Sequence, residues 1–86
     1  MDHYEGHQKA VGVALERVQD FQNVLAQLES VRDEMHSAVG IAVGSSHHGA
    51  ATAALQGCLA LEGDIIEMIG RAGSVAENLR EYREAF

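Results

Sequence analysis

Apolar residues recur along this chain at alternating steps of three and four. That spacing lines up one face of a helix, and a strand with its period of two cannot produce it. From Val11 the positions are Val11, Ala14, Val18, Phe21, Leu25, Leu28, Arg32, Met35, Val39 and Ala42, nine of the ten apolar. From Ala51 they are Ala51, Ala54, Cys58, Leu61, Ile65, Met68, Ala72, Val75, Leu79, Tyr82 and Phe86, all apolar. A repeat averaging about 3.5 residues is the seam of a left-handed helix packing. The nine-residue step from Ala42 to Ala51 breaks the register. Between them lies Gly44-Ser45-Ser46-His47-His48-Gly49, which reads as a turn. Gly44 suits the left-handed position that ends a helix, Ser45 or Ser46 can cap the next one, and Asp2 is a candidate cap for the first.

Folding the chain at this turn tests the pattern. Ala42 then meets Ala51, Met35 meets Cys58, Arg32 meets Leu61, Leu25 meets Met68, Phe21 meets Ala72 and Val11 meets Tyr82, so the register closes over the whole length. Large residues face small ones, as interdigitating layers prefer. The expected fold is all-α: one domain, residues 1–86, forming an antiparallel two-helix hairpin of about residues 3–43 and 47–86. Each helix would be about 60 Å long and would cross its neighbour near +20°.

Apolar residues off the seam bear on association. The second helix carries a further stripe of Leu55, Leu59, Ile66, Ile69 and Ala76, interrupted by Glu62 and Gly73, and the first adds Leu15, Val24, Val31, Ala38 and Ile41. Covering the large members contributes ~1.5–3 kcal/mol per fully buried side chain, and two hairpins pairing into a four-helix bundle as a dimer cover them most simply. The expected interface is therefore Leu55, Leu59, Glu62, Ile66, Ile69, Gly73, Ala76, Val24 and Val31, and aspartate at Ile66 and Ile69 is expected to dissociate it. The tip carries no Asp, Glu, Lys or Arg over the 27 residues between Glu34 and Glu62. A charge-free tip of small residues suits either a hinge or docking against another protein.

Composition narrows the chemistry. Eighty-six residues make one small domain that buries about 60% of its unfolded surface. A net charge of −7 repels a phosphate backbone, so nucleic acid is not an expected partner. The acidic start, Met1-Asp2-His3-Tyr4-Glu5, is unlike a secretory signal, and the longest stretch free of polar side chains, seven residues, is too short to span a membrane. The single Cys58 has no internal disulfide partner and reads as a small buried hydrophobe. Five histidines invite a metal, yet the hairpin holds His3 and His7 far from His47 and His48, so no four-ligand zinc site forms within one chain. A free amine with Asp2 and His3 could chelate Cu(II) or Ni(II). Glu62, Asp64 and Glu67 fall on different faces and read as solvated or partner-facing rather than as an acid–base pair. The Arg32 stem packs in the seam while its guanidinium reaches a carboxylate such as Glu29 or Glu62. No phosphate loop or nucleophile motif is present, so no enzyme and no cofactor is expected.

Two long helices, an acidic chain of this length and a small-residue bend resemble the small WXG-type helical-hairpin proteins of type VII secretion. That family has Trp-Xaa-Gly at the bend; here the stretch is His47-His48-Gly49, followed by Ala50 and Ala51, so the glycine matches and the tryptophan does not. The family's C-terminal Tyr-Xaa-Xaa-Xaa-Asp/Glu signal would start at Tyr82 but reaches Phe86, with Glu84 two residues early. The resemblance implies a protein exported without a cleaved signal, or a targeting partner (chaperone) of a larger secreted toxin. Such a partner would pair as a homodimer or heterodimer with another hairpin or a toxin's helical leader, with Tyr82 and Phe86 as a C-terminal recognition element. The alternative expectation is a cytoplasmic self-associating adaptor, immunity or regulatory module unrelated to secretion.

Overall fold

The computed structural model describes residues 2–85, with side chains from residue 5 onward. Two helices occupy nearly all of it: α1, Asp2–Val43, and α2, Gly49–Glu84. Prolines are absent, and Ala, Leu, Gln and Glu hold the helical state at little entropic cost. The helices lie antiparallel along a body of 67 × 16 × 13 Å, so the chain is an all-α helical hairpin. Asp2 is itself the first residue of α1; its side chain, and those of Met1, His3 and Phe86, lie outside the described residues.

The bend falls where the register breaks, with different capping chemistry. Gly44 takes φ +50°, a left-handed conformation that costs a residue with Cβ ~1–2 kcal/mol, and its N–H donates to Gly40 O at 2.9 Å. Neither serine caps α2. His48 does, in extended backbone, its Nδ1 accepting from Ala50 N at 3.1 Å. Ser46 supports it one step back, its Oγ accepting from His48 N at 3.2 Å. An imidazole nitrogen thus takes the role that a hydroxyl or carboxylate oxygen usually has at this position.

Packing corrects the expected seam in one respect. The columns Val11, Val18, Leu25, Arg32, Val39 on α1 and Ala51, Cys58, Ile65, Ala72, Leu79 on α2 are buried or half-buried throughout. The alternate seam positions are not closed. Phe21 remains 51% exposed, and Leu28, Met35, Leu61, Val75 and Tyr82 are exposed as well. The helices are rolled so that the flank beside the central column is the other one, with Leu15, Gln22, His36 and Val43 half-buried on α1, Leu55 half-buried and Ala76 buried on α2. Two cylinders touch along a line and cover only a narrow arc of each other. An apolar stripe wider than that arc needs further helices to cover it.

The register follows the expected one within about one helical turn. Phe21 and Val18 share a cavity wall with Met68, Ala72 and Val75. At the free ends Gln8 Nε2 donates to Arg83 O at 3.5 Å, and the His7 and Tyr82 rings stand 4.8 Å apart, tilted by 58°. Gly63 and Gly70 are exposed mid-helix, and a methyl group at either would meet no neighbouring atom within 4 Å. Each glycine costs ~0.8–1 kcal/mol relative to alanine. The double variant Gly63→Ala, Gly70→Ala is therefore expected to melt roughly 10 °C higher by circular dichroism, and an unchanged midpoint would contradict it.

Candidate interaction surface

The roll of the two helices leaves one long face of the hairpin apolar. A groove between the helices starts as a cavity of about 410 Å³ lined by Arg17, Val18, Phe21, Met68, Arg71, Ala72 and Val75. It continues into a second, of about 230 Å³, lined by Leu28, Val31, Arg32, Met35, Leu61, Asp64, Ile65 and Met68. Met68 borders both, so the two are one furrow. Val24 and Val31, each 58% exposed, extend its α1 bank. Charged groups stand at its rim: Arg17, paired with Asp20 at 3.1 Å, and Arg71, paired with Glu67 one turn earlier, on the free-end side, and Asp64 on the tip side. A strip of this kind, apolar at its centre and charged at its edge, has the anatomy of a protein interface.

Arg32 keeps charge out of that strip. It is 7% exposed and its stem lines the groove, but its guanidinium goes elsewhere. Nη1 donates to Cys58 O at 3.1 Å and approaches His36 Nδ1 at 3.3 Å. Nη2 pairs with the neighbouring Asp33 and lies 3.9 Å from Glu62 Oε2. The Asp33 hydrogen bond, opposed by burial and helped by the charges of Asp33 and Glu62, holds its pKa above the ordinary arginine value. A raised value on a base is stabilising at every pH below the ordinary arginine range and is lost only in strong alkali. The expected carboxylate Glu62 is thus a partner, Glu29 has no such pairing, and Asp33 is a partner that helical spacing does not announce. An adjacent residue is normally out of reach along a helix, and Arg32 meets it here because Cys58 O anchors the guanidinium sideways.

The residues expected at an interface fall on both faces. Val24 and Val31 border the groove. Leu59, Ile66 and Ile69 are exposed and Leu55 and Gly73 half-buried, on the opposite face. There the facing α1 flank carries Leu15 and Val43 toward its ends but Gln22 and Glu29 together with the Arg32–Asp33–Glu62 cluster along its middle, so opposite Leu59, Ile66 and Ile69 that bank is polar. Ala76 is 4% exposed, closed against α1, and presents nothing to a partner. His47, His48 and Gly49 do form the bend, with His48 engaged as the cap. Tyr82 is turned toward His7, and Phe86 lies outside the described residues. The apolar spacing assigns Phe21, Leu28, Leu61 and Val75 to the inside of the hairpin, where the structure does not place them. Val24 and Val31 widen the α1 stripe beyond what one neighbouring helix covers, and that width is the signal for their true place. Cys58 is buried as a free thiol. Among the described residues no three of His, Cys, Asp and Glu cluster as metal ligands, and no helix is long and apolar enough to cross a membrane.

Compared with family models, curated proteins and solved structures, the chain has no match.

Proposed function

We propose that this chain is a non-enzymatic binding module that works by packing the grooved face of its hairpin into a helical assembly. In this reading it is a WXG-like component of a type VII secretion system, either a secreted substrate or the targeting partner of a larger toxin. The furrow from Phe21 and Val75 to Met35 and Leu61, apolar on both banks and charged only at the rim, carries the reading. The bend supports the secretion context, because His47-His48-Gly49 occupies the place of the family's Trp-Xaa-Gly and opens the second helix.

The test is export. Epitope-tagged chain in cells with an active secretion system of this type should appear outside them, or should copurify with a long-leader effector. Protein that stays wholly inside and brings down no helical partner would sink the secretion reading. One observation favours the second reading, a self-associating cytoplasmic adaptor. Tyr82, where the family's export signal would begin, lies against His7 at the free end of the hairpin, and in that case association persists without any dependence on a secretion system.

A further inference from the structure

The bend between the helices is held by groups that do not titrate near neutrality, with one exception. We propose that the His48 cap makes it a proton-sensitive hinge, which holds the first turn of α2 while the imidazole is neutral and releases it when the ring is protonated. Nothing in this hinge depends on what covers the groove.

Most of the bend is backbone. Gly44 N donates to Gly40 O, Ser46 N to Val43 O, and Ala51 N and Thr52 N both donate to His48 O. Ser46 adds a hydroxyl, whose oxygen accepts from His48 N at 3.2 Å. The remaining contact is of another kind. Ala50 N–H can only donate, so the His48 Nδ1 that it meets at 3.1 Å is the bare nitrogen of a neutral ring, with the proton on Nε2. A histidinium carries hydrogen on both nitrogens and has no lone pair left to accept with. Protonation therefore removes the acceptor and sets a second donor against Ala50 N.

Nothing near the bend offsets the new charge. It arises at the positive end of the α2 dipole, and the first turn of α2 holds no acidic residue. On α1 the last charged residue is Glu34, nine residues before the helix ends at Val43, or about 14 Å along the axis. On α2 the first is Glu62, about 20 Å from the helix start. Both separations exceed the Debye length of about 8 Å at physiological salt. The other titratable groups in this span are His47, next to the cap; His36 on α1, whose Nδ1 is engaged by Arg32; and Cys58 on α2, a buried thiol. None is a carboxylate.

Protonation and capping compete for the same lone pair, so acidification favours the uncapped form. The hold on α2 is complete above the ordinary histidine range, at about pH 6.5, and is lost as the pH falls through and below that range. The loss reaches into the packing because Ala51, next to Ala50, is buried and forms the outermost layer of the α2 column. Gly44 and Gly49 flank the turn, and glycine takes up other backbone conformations at little steric cost. Fraying of the first turn thus opens the Ala51 layer and frees residues 44–51 at the tip, while the layers from Cys58 onward stay closed.

The test is an NMR titration of the isotope-labelled chain from about pH 8 to about pH 5, across the histidine range. At the alkaline end the ring nitrogen shifts of His48 are expected to show the Nε2–H tautomer, and the Cα shifts of Ala50 and Ala51 to be helical. As the His48 ring titrates, both alanines are expected to move toward coil values with the same midpoint, the opening equilibrium of the first turn growing about tenfold. His48→Asn supplies a cap that does not titrate and is expected to hold both alanines helical over the whole range. His47→Asn leaves the cap in place and is expected to respond as the wild type does. The pair of variants separates His48 from the other histidines, which both chains keep apart from the one replaced. An Nδ1–H tautomer at the alkaline end, or alanines that stay helical while the His48 ring titrates, would overturn the hinge. So would a His48→Asn chain that frays like the wild type, or a His47→Asn chain that no longer responds.

Discussion

A chain carrying Phe21→Asp and Leu28→Asp is expected to be monomeric at concentrations where the wild type associates. Both side chains are about half exposed on the α1 bank of the groove, so each still has roughly half of a ~1.5–3 kcal/mol burial to gain from a partner. Counted on both copies, the two losses come to about 4 kcal/mol, on the order of a thousandfold in Kd. Carboxylates forced into the interface would add to that. Aspartate at Ile66 and Ile69 is the matched comparison, because those residues are also exposed but stand on the face whose other bank is polar. Light scattering after gel filtration reads both variants. If the Ile66/Ile69 variant dissociates and the Phe21/Leu28 variant does not, the partner sits on the opposite face, and the grooved-face reading falls.

That comparison matters because the sequence pattern alone treats the two faces alike. Both helices, the break between Ala42 and Ala51, the antiparallel direction and the central columns were all legible, since each follows from the period of the apolar residues and the place where it fails. The roll of one helix on the other was not legible. Periodicity marks which positions avoid water and is silent on which chain supplies the cover. Phe21, Leu28, Leu61 and Val75 therefore read as interior to the hairpin, although two helices alone cannot enclose them. Local competition accounts for the remaining differences. Ser45 and Ser46 are both better caps by propensity than His48, but the turn engages Ser46 with His48 N and leaves the imidazole nearest to Ala50 N. Arg32 reads as a single interruption of a seam, and its choice of Asp33 depends on where the Cys58 carbonyl falls across the helix pair, which only the packed structure supplies.

Leu25→Ala is expected to lower the melting midpoint by about 10 °C or more, a larger thermal effect than any single surface substitution in this chain. Leu25 is 3% exposed, as is Ile65, and with Val11 they are the only large aliphatic side chains buried among the described residues. Truncating a buried leucine costs ~2–5 kcal/mol, and each kcal/mol moves the midpoint of a domain this size by roughly 4–8 °C. So thin an interior leaves little to absorb the loss. Leu28→Ala provides the contrast, because one turn further along α1 the same truncation starts from a half-exposed side chain. In dilute protein it should cost much less than Leu25→Ala. If a second hairpin covers the groove, its cost grows as the protein is concentrated, because association then contributes to the stability being measured, whereas the Leu25→Ala cost stays nearly constant. Melting both variants across a roughly hundredfold range of concentration thus separates the column closed by this chain from the column left for a partner. A Leu28→Ala penalty that does not change with concentration would show that nothing covers the groove.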